Sequence, residues 1–145
     1  MVCTARASQR YLLVGNSYTS SNSLDQILTS LLQQGCCAHS SVRVVTHAPG
    51  GYTLAQHAVD AGGTKGDTIL RKYLVNGAEA SLGWTGVLLQ DQSQIPSYPE
   101  YFPTFGASRA GAVFLDGLAA QKGAKTYLFA TWGRRDGDRR NFNFF

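Results

Sequence analysis

Four polar turns in this 145-residue chain each follow a short apolar run, and together they carry the side chains that an acyl-transfer centre requires. Tyr11-Leu12-Leu13-Val14 runs into Gly15-Asn16-Ser17-Tyr18-Thr19, so a serine hydroxyl sits where a buried strand gives way to a helix. Gly50-Gly51, Gln90-Asp91-Gln92 and Trp132-Gly133-Arg134-Arg135 occupy the corresponding places after three later runs. Acyl transfer needs a hydroxyl, a small residue whose backbone N–H can approach the developing oxyanion, and a side-chain amide to complete the hole. Ser17 is the candidate nucleophile, Gly51 the candidate oxyanion N–H and Gln92 the candidate side-chain donor. Asn16, Trp132 and Arg134 are candidate substrate contacts. Trp132 could offer a stacking face to a carbohydrate, and Arg134 a cation to an acidic or sugar substrate.

Each of these residues also has a plainer use. Ser17 lies in a run of Ser, Thr and Asn of the kind that caps helices. Gly50-Gly51 suits a tight turn after Pro49, and Gln92 can hydrogen-bond its own loop. Arg134, Arg135, Arg139 and Arg140, interleaved with Asp136 and Asp138, read as a solvated, self-paired segment. His47 follows the second strand and is the internal candidate for a base. His57 reads as a structural hydrogen-bonder beneath the loop, Asp91 as a loop-orienting or solvent-facing residue, and Trp84 as packing.

The elements that must position these turns alternate strand and helix. Strands are expected at Tyr11–Val14, Val42–Thr46, Gly86–Gln90 and Lys125–Thr131. After the first strand, Leu24, Ile27, Leu28, Leu31 and Leu32 recur at helical spacing as one apolar stripe, with Ser23 and Gln26 at capping-box spacing and Gly35 as the stop. Thr53 and Gln56 predict a second capped helix. A third runs from about Asp67 to Val75 with Ile69, Leu70, Tyr73 and Leu74 inward, and a fourth from roughly Phe105 to Gln121. The loop carrying Pro96, Pro99 and Pro103 is too rich in proline to continue a helix. Strands joined by crossover helices imply a parallel sheet covered on both faces, an α/β fold of flavodoxin-like outline. In such a sheet all four turns meet on the carboxyl rim, where the helix after the first strand would direct unpaired N–H groups and the positive end of its dipole.

Composition bounds the partners. The length suits a single domain, 11–145, preceded by a polar segment, 1–10. The net charge of +4 comes from few acids rather than a basic stripe, with only 15% of residues charged, so nucleic acid is not an expected partner. Cys3, Cys36 and Cys37 have neither metal-ligand spacing nor an even count, and they read as free thiols with no metal. Nothing before Tyr11 is long and apolar enough for a signal peptide or membrane span, which makes the cytoplasm the default compartment.

The turns also resemble a known family, the SGNH (GDSL-like) hydrolases, which are esterases, lipases, thioesterases and carbohydrate deacetylases on a three-layer α/β/α fold. Leu13-Val14-Gly15-Asn16-Ser17-Tyr18-Thr19 resembles the family's first block, Gly50-Gly51-Tyr52-Thr53-Leu54 the second and Val87-Leu88-Leu89-Gln90-Asp91-Gln92-Ser93 the third. Ala130–Asp138 is similar to the same branch. The resemblance implies Ser17 as nucleophile with its own N–H in the oxyanion hole, Gly51 as the oxyanion glycine and Gln92 in place of the usual asparagine. It implies an acyl-serine mechanism on a small acyl or acetylated-sugar ester, without a cofactor. The family's Asp-x-x-His block has no counterpart in the sequence, so the chain reads as a carboxy-terminally truncated member. The alternative is a noncatalytic interaction module on this fold, with self-association through an uncovered sheet edge. A phosphate cradle at Gly15–Thr19 is a third reading.

Overall fold

Leu12, Leu13 and Val14 are apolar at three consecutive positions, so both faces of the strand that carries them must be covered. In a computed structural model, which describes residues 8–34, 41–63 and 66–131, they end strand β1 (Gln9–Val14), and all three are buried. Parallel neighbours flank β1 on both sides: β2 (Val42–His47) on one and β3 (Gly86–Leu89) on the other, with β4 (Lys125–Leu128) beyond β3. The order is β2-β1-β3-β4. Leu12 pairs with Val87 and Val14 with Leu89, which puts these four side chains on one face.

The step from β1 to β2 runs in the opposite direction across the sheet to the two later steps. Right-handed connections therefore put the β1–β2 helix on one face and the remaining helices on the other. The first face receives α1 (Ser17–Ser20), a 3₁₀ turn at Ser21–Ser23, and α2 (Leu24–Gln33), which packs against β2. The second receives α3 (Leu54–Gly62), α4 (Ile69–Arg71) with a π turn at Lys72–Asn76, α5 (Ala78–Ser81) and α6 (Pro103–Gln121). The core forms there, where Leu12, Val14, Val87 and Leu89 of the sheet meet Leu54, Leu70, Leu74 and Leu115 of the helices. The expected α/β class, with a parallel sheet and helices on both faces, is the observed one.

At the amino-terminal edge of the sheet, Arg10 extends over Trp84, with its Cζ 4.9 Å from the ring centroid. It donates through Nε to Gly83 O at 2.9 Å and pairs with Glu79, which also pairs with Arg43 at 2.6 Å. The hydrogen bond and charge of Arg43, followed by those of Arg10, hold the Glu79 carboxyl below the usual range. Trp84 is buried and donates Nε1–H to Tyr73 O, in keeping with its expected packing role.

Local departures have identifiable causes. The expected Ser23–Gln26 capping box does not form, because Asn22 and Ser23 both adopt left-handed backbone (φ 57° and 52°), whereas a side-chain N-cap normally needs extended backbone. Only a four-residue turn starts at Ser17, and α2 begins after the kink at Asn22 and Ser23. The α2 stripe is only partly covered: Leu24, Leu28 and Leu32 are half-buried, while Ile27 and Leu31 are 47% and 62% exposed. Ile69, expected inward, is 58% exposed, although Leu70 and Leu74 are buried. β1 takes Gln9 and Arg10 from the expected polar segment, β4 ends at Leu128 rather than Thr131, and Pro103 opens α6, where its missing N–H removes no helical bond. Cys3, Cys36, Cys37 and residues 132–145 lie outside the described residues. Among the described residues no helix is long and apolar enough to cross a membrane.

Candidate active-site rim

The rim is built outward from Asn16. Its extended backbone makes it the N-cap of α1, and its Oδ1 accepts from Tyr18 N–H at 3.1 Å. Its Nδ2 donates to Tyr52 O at 3.0 Å and to Asp91 O at 3.3 Å. One buried carboxamide therefore joins the turns after β1, β2 and β3, with both its donors and its acceptor engaged. Asn16 was a candidate substrate contact; the structure makes it the brace of the rim.

Ser17, the first residue of α1, is exposed. Among the described residues neither its hydroxyl nor its N–H forms a hydrogen bond; its carbonyl accepts from the Ser21 hydroxyl at 2.6 Å. Gly51 is exposed too. Pro49, Gly50, Gly51 and Tyr52 form a turn closed by Tyr52 N–H to Pro49 O at 3.3 Å, and the Gly51 φ of +73° is what a glycine supplies at the third position of a type II turn. No described acceptor takes the Gly51 N–H. The chain thus presents one hydroxyl and two unpaired backbone N–H groups on turns braced by the same side chain.

Gln92 is half-buried, and its carboxamide is engaged with Gln94: Nε2 donates to Gln94 Oε1 at 3.1 Å and Oε1 accepts from Gln94 N–H at 2.8 Å. One Nε2 proton remains beyond this local pair. Asp91 orients loops, one of the two plain uses expected of it. Its Oδ1 accepts from Leu54 N–H at 3.0 Å and Gln92 N–H at 2.8 Å, and its Oδ2 accepts from the Ser108 hydroxyl at 2.5 Å. The start of α3, the turn after β3 and α6 are thereby tied together.

Histidines lie beneath this surface. His57 is fully buried, and its Nε2 is 2.8 Å from Gly15 O. A carbonyl only accepts, so Nε2 carries the proton, and Nδ1 has no partner among the described residues. Burial lowers the His57 pKa to about 4, against the upward pull of the Gly15 bond. His57 is the structural hydrogen-bonder its position suggested. His47 packs edge-on to it with ring centroids 5.4 Å apart, and Tyr52 lies at 5.1 Å. Burial lowers the His47 pKa as well, and its Nε2 is unpartnered among the described residues. No hydrogen bond links His47 to Ser17, and no metal-binding cluster occurs among the described residues.

Two groups escaped sequence reasoning. Gln90, read as the end of a strand, is buried and accepts through Oε1 from Asn16 N–H at 3.1 Å and the Thr19 hydroxyl at 2.8 Å. The other is Ser108, which sits inside a helical stretch that otherwise reads as packing. A polar residue directly after an apolar strand must find partners if buried, and that was the available signal for Gln90. Trp132 and Arg134 lie outside the described residues.

Fold and rim define an α/β protein whose polar turns gather beyond the carboxyl ends of a parallel sheet, the usual place for ligands in this architecture. No protein-family model, no curated protein and no solved structure matches the chain.

Proposed function

We propose that the chain carries the nucleophile and oxyanion donors of an SGNH-type serine esterase acting on small acyl or acetylated-carbohydrate esters. The observation that carries this reading is the joining of three turns by Asn16, which leaves the hydroxyl and N–H of Ser17 and the N–H of Gly51 without partners among the described residues. Ser17 Oγ attacks the ester carbonyl and gives its proton to a base supplied from outside the described residues; that base returns the proton to the departing alkoxide, leaving an acyl-serine, and then takes a proton from the water that hydrolyses it. The Ser17 and Gly51 N–H groups and the remaining Gln92 Nε2 proton hold the oxyanion. The reaction needs no metal or organic cofactor.

The proton acceptor is not His57, which is committed to Gly15. In serine proteases the loss of the imidazole lowers turnover by about 10⁶-fold, while oxyanion donors and binding retain about 10³-fold over water. A single-event reagent is therefore the sensitive readout. A fluorophosphonate is expected to label the protein once, at Ser17, and Ser17→Ala to abolish labelling. Equal labelling of both proteins sinks the reading. If no label is incorporated and the protein instead sediments as a concentration-dependent dimer, the noncatalytic module is favoured. Tyr127 and Leu128, 47% and 75% exposed on edge strand β4, are what support that second reading.

A further inference from the structure

The peptide unit that joins Gly15 to Asn16 is held at both of its polar ends by buried side chains. Its carbonyl lies 2.8 Å from His57 Nε2, and its N–H donates to Gln90 Oε1 at 3.1 Å. The sheet no longer serves these groups. The last ladder bonds on either side are Gly15 N–H to His47 O and Gln90 N–H to Val14 O. One holding side chain comes from α3 and the other from the end of β3, so the unit is gripped by two separate elements. The Thr19 hydroxyl shares Gln90 Oε1 at 2.8 Å, which binds the turn containing Ser17 to the same oxygen. No slack remains around it: a Cβ on Gly15 would stand 2.1 Å from Thr19 Oγ1 and 2.7 Å from Gln90 Oε1.

Packing alone does not account for an imidazole here. A buried ring whose Nδ1 has no partner among the described residues carries a desolvation penalty that an aliphatic side chain would avoid. Holding the Gly15 carbonyl does account for it. We propose that His57 and Gln90 are positioning residues that clamp the Gly15–Asn16 peptide and thereby set the direction in which Ser17 presents its hydroxyl and N–H. This inference rests on the reading of Ser17 as nucleophile, since the clamp's consequence is read at that residue. A displacement of about 1 Å at a reacting group lowers rate by about 10²-fold, so a modest rotation of this peptide suffices to matter. Neutral imidazole serves as a donor through Nε2–H. A glutamine can supply such an N–H; a leucine cannot.

The test uses His57→Leu, His57→Gln and Gln90→Met, each checked for folding by circular dichroism and chemical denaturation. Two readouts are taken: the rate of fluorophosphonate labelling at Ser17, and native-state hydrogen exchange at the Asn16 amide, which donates to Gln90 Oε1. His57→Leu and Gln90→Met are expected to slow labelling about 100-fold and to speed exchange at the Asn16 amide beyond any change in global stability. His57→Gln should restore most of both. Labelling and local exchange like wild type in a folded His57→Leu or Gln90→Met protein would overturn the clamp. A wild-type protein that takes no label removes the esterase reading instead, and exchange still decides the clamp. Because the two substitutions attack opposite ends of one peptide, Gln90→Met decides the matter if His57→Leu does not fold.

Discussion

His57 is neutral because its surroundings exclude the charge, and that exclusion gives the protein's stability a defined pH dependence. Its folded pKa of about 4 lies below the unfolded value of 6.5, with burial as the main cause. Between these values the unfolded chain binds more protons than the folded one, so stability rises with pH through this window and falls as pH drops through it. Lowering the pH from 7 to 4.5 should remove about 2–3 kcal/mol through this residue. Urea denaturation of wild type and His57→Gln at the two values measures it. The wild type should lose more than the variant by roughly that amount, because glutamine keeps a donor for Gly15 and has no ring to protonate. Equal losses would mean that His57 is protonated as readily folded as unfolded.

At the scale of elements, one capping box formed and another did not. Thr53 is extended; its hydroxyl accepts from Gln56 N–H at 3.2 Å, and Gln56 Oε1 accepts from Thr53 N–H at 2.9 Å. Thr53→Ala should lower stability by about 1 kcal/mol. Ser23 has the same sequence signature, but its positive φ and absent cap bond predict the opposite sign: Ser23→Gly should stabilise by about 0.5–1 kcal/mol. Denaturation midpoints of the two variants distinguish the cases, and a loss in Ser23→Gly would show that Ser23 acts as a cap. The two central strands, β1 and β3, were legible because burial on both faces leaves continuous apolar runs such as Leu12-Leu13-Val14 and Val87-Leu88-Leu89. The true cap was not: Asn16 through Ser23 holds several residues able to cap a helix, and only the left-handed turn at Asn22 and Ser23 decides among them. The site was legible as a set of turns, since Ser17, Gly51 and Gln92 each follow a strand. Its internal bracing was hidden, because Asn16, Gln90 and Asp91 look like ordinary turn residues until their partners, 36 to 75 positions away, are brought beside them.

Across the whole molecule, burial is uneven between the two faces of the sheet. Leu12, Val14, Val87 and Leu89 are nearly or fully buried against α3, the π turn and α6, whereas α2 on the other face has no fully buried residue. The helices do not contribute alike. Leu12→Ala removes a fully buried side chain from the centre of the larger core and should destabilise by about 3 kcal/mol. Leu31→Ala trims a side chain already 62% exposed and should change stability by less than about 0.5 kcal/mol. The same asymmetry orders local opening, because a helix held by few buried apolar contacts opens without the rest of the fold. Native-state hydrogen exchange should find the α2 amides exchanging through openings well below the global unfolding free energy, and those of α6 near Leu115 only with global unfolding. Since α3 and the end of β3 supply His57 and Gln90, the rim's bracing belongs to the slow-exchanging side, so α2 can open while the clamp on the Gly15–Asn16 peptide stays closed. Equal protection of α2 and α6 would show that both faces are held alike.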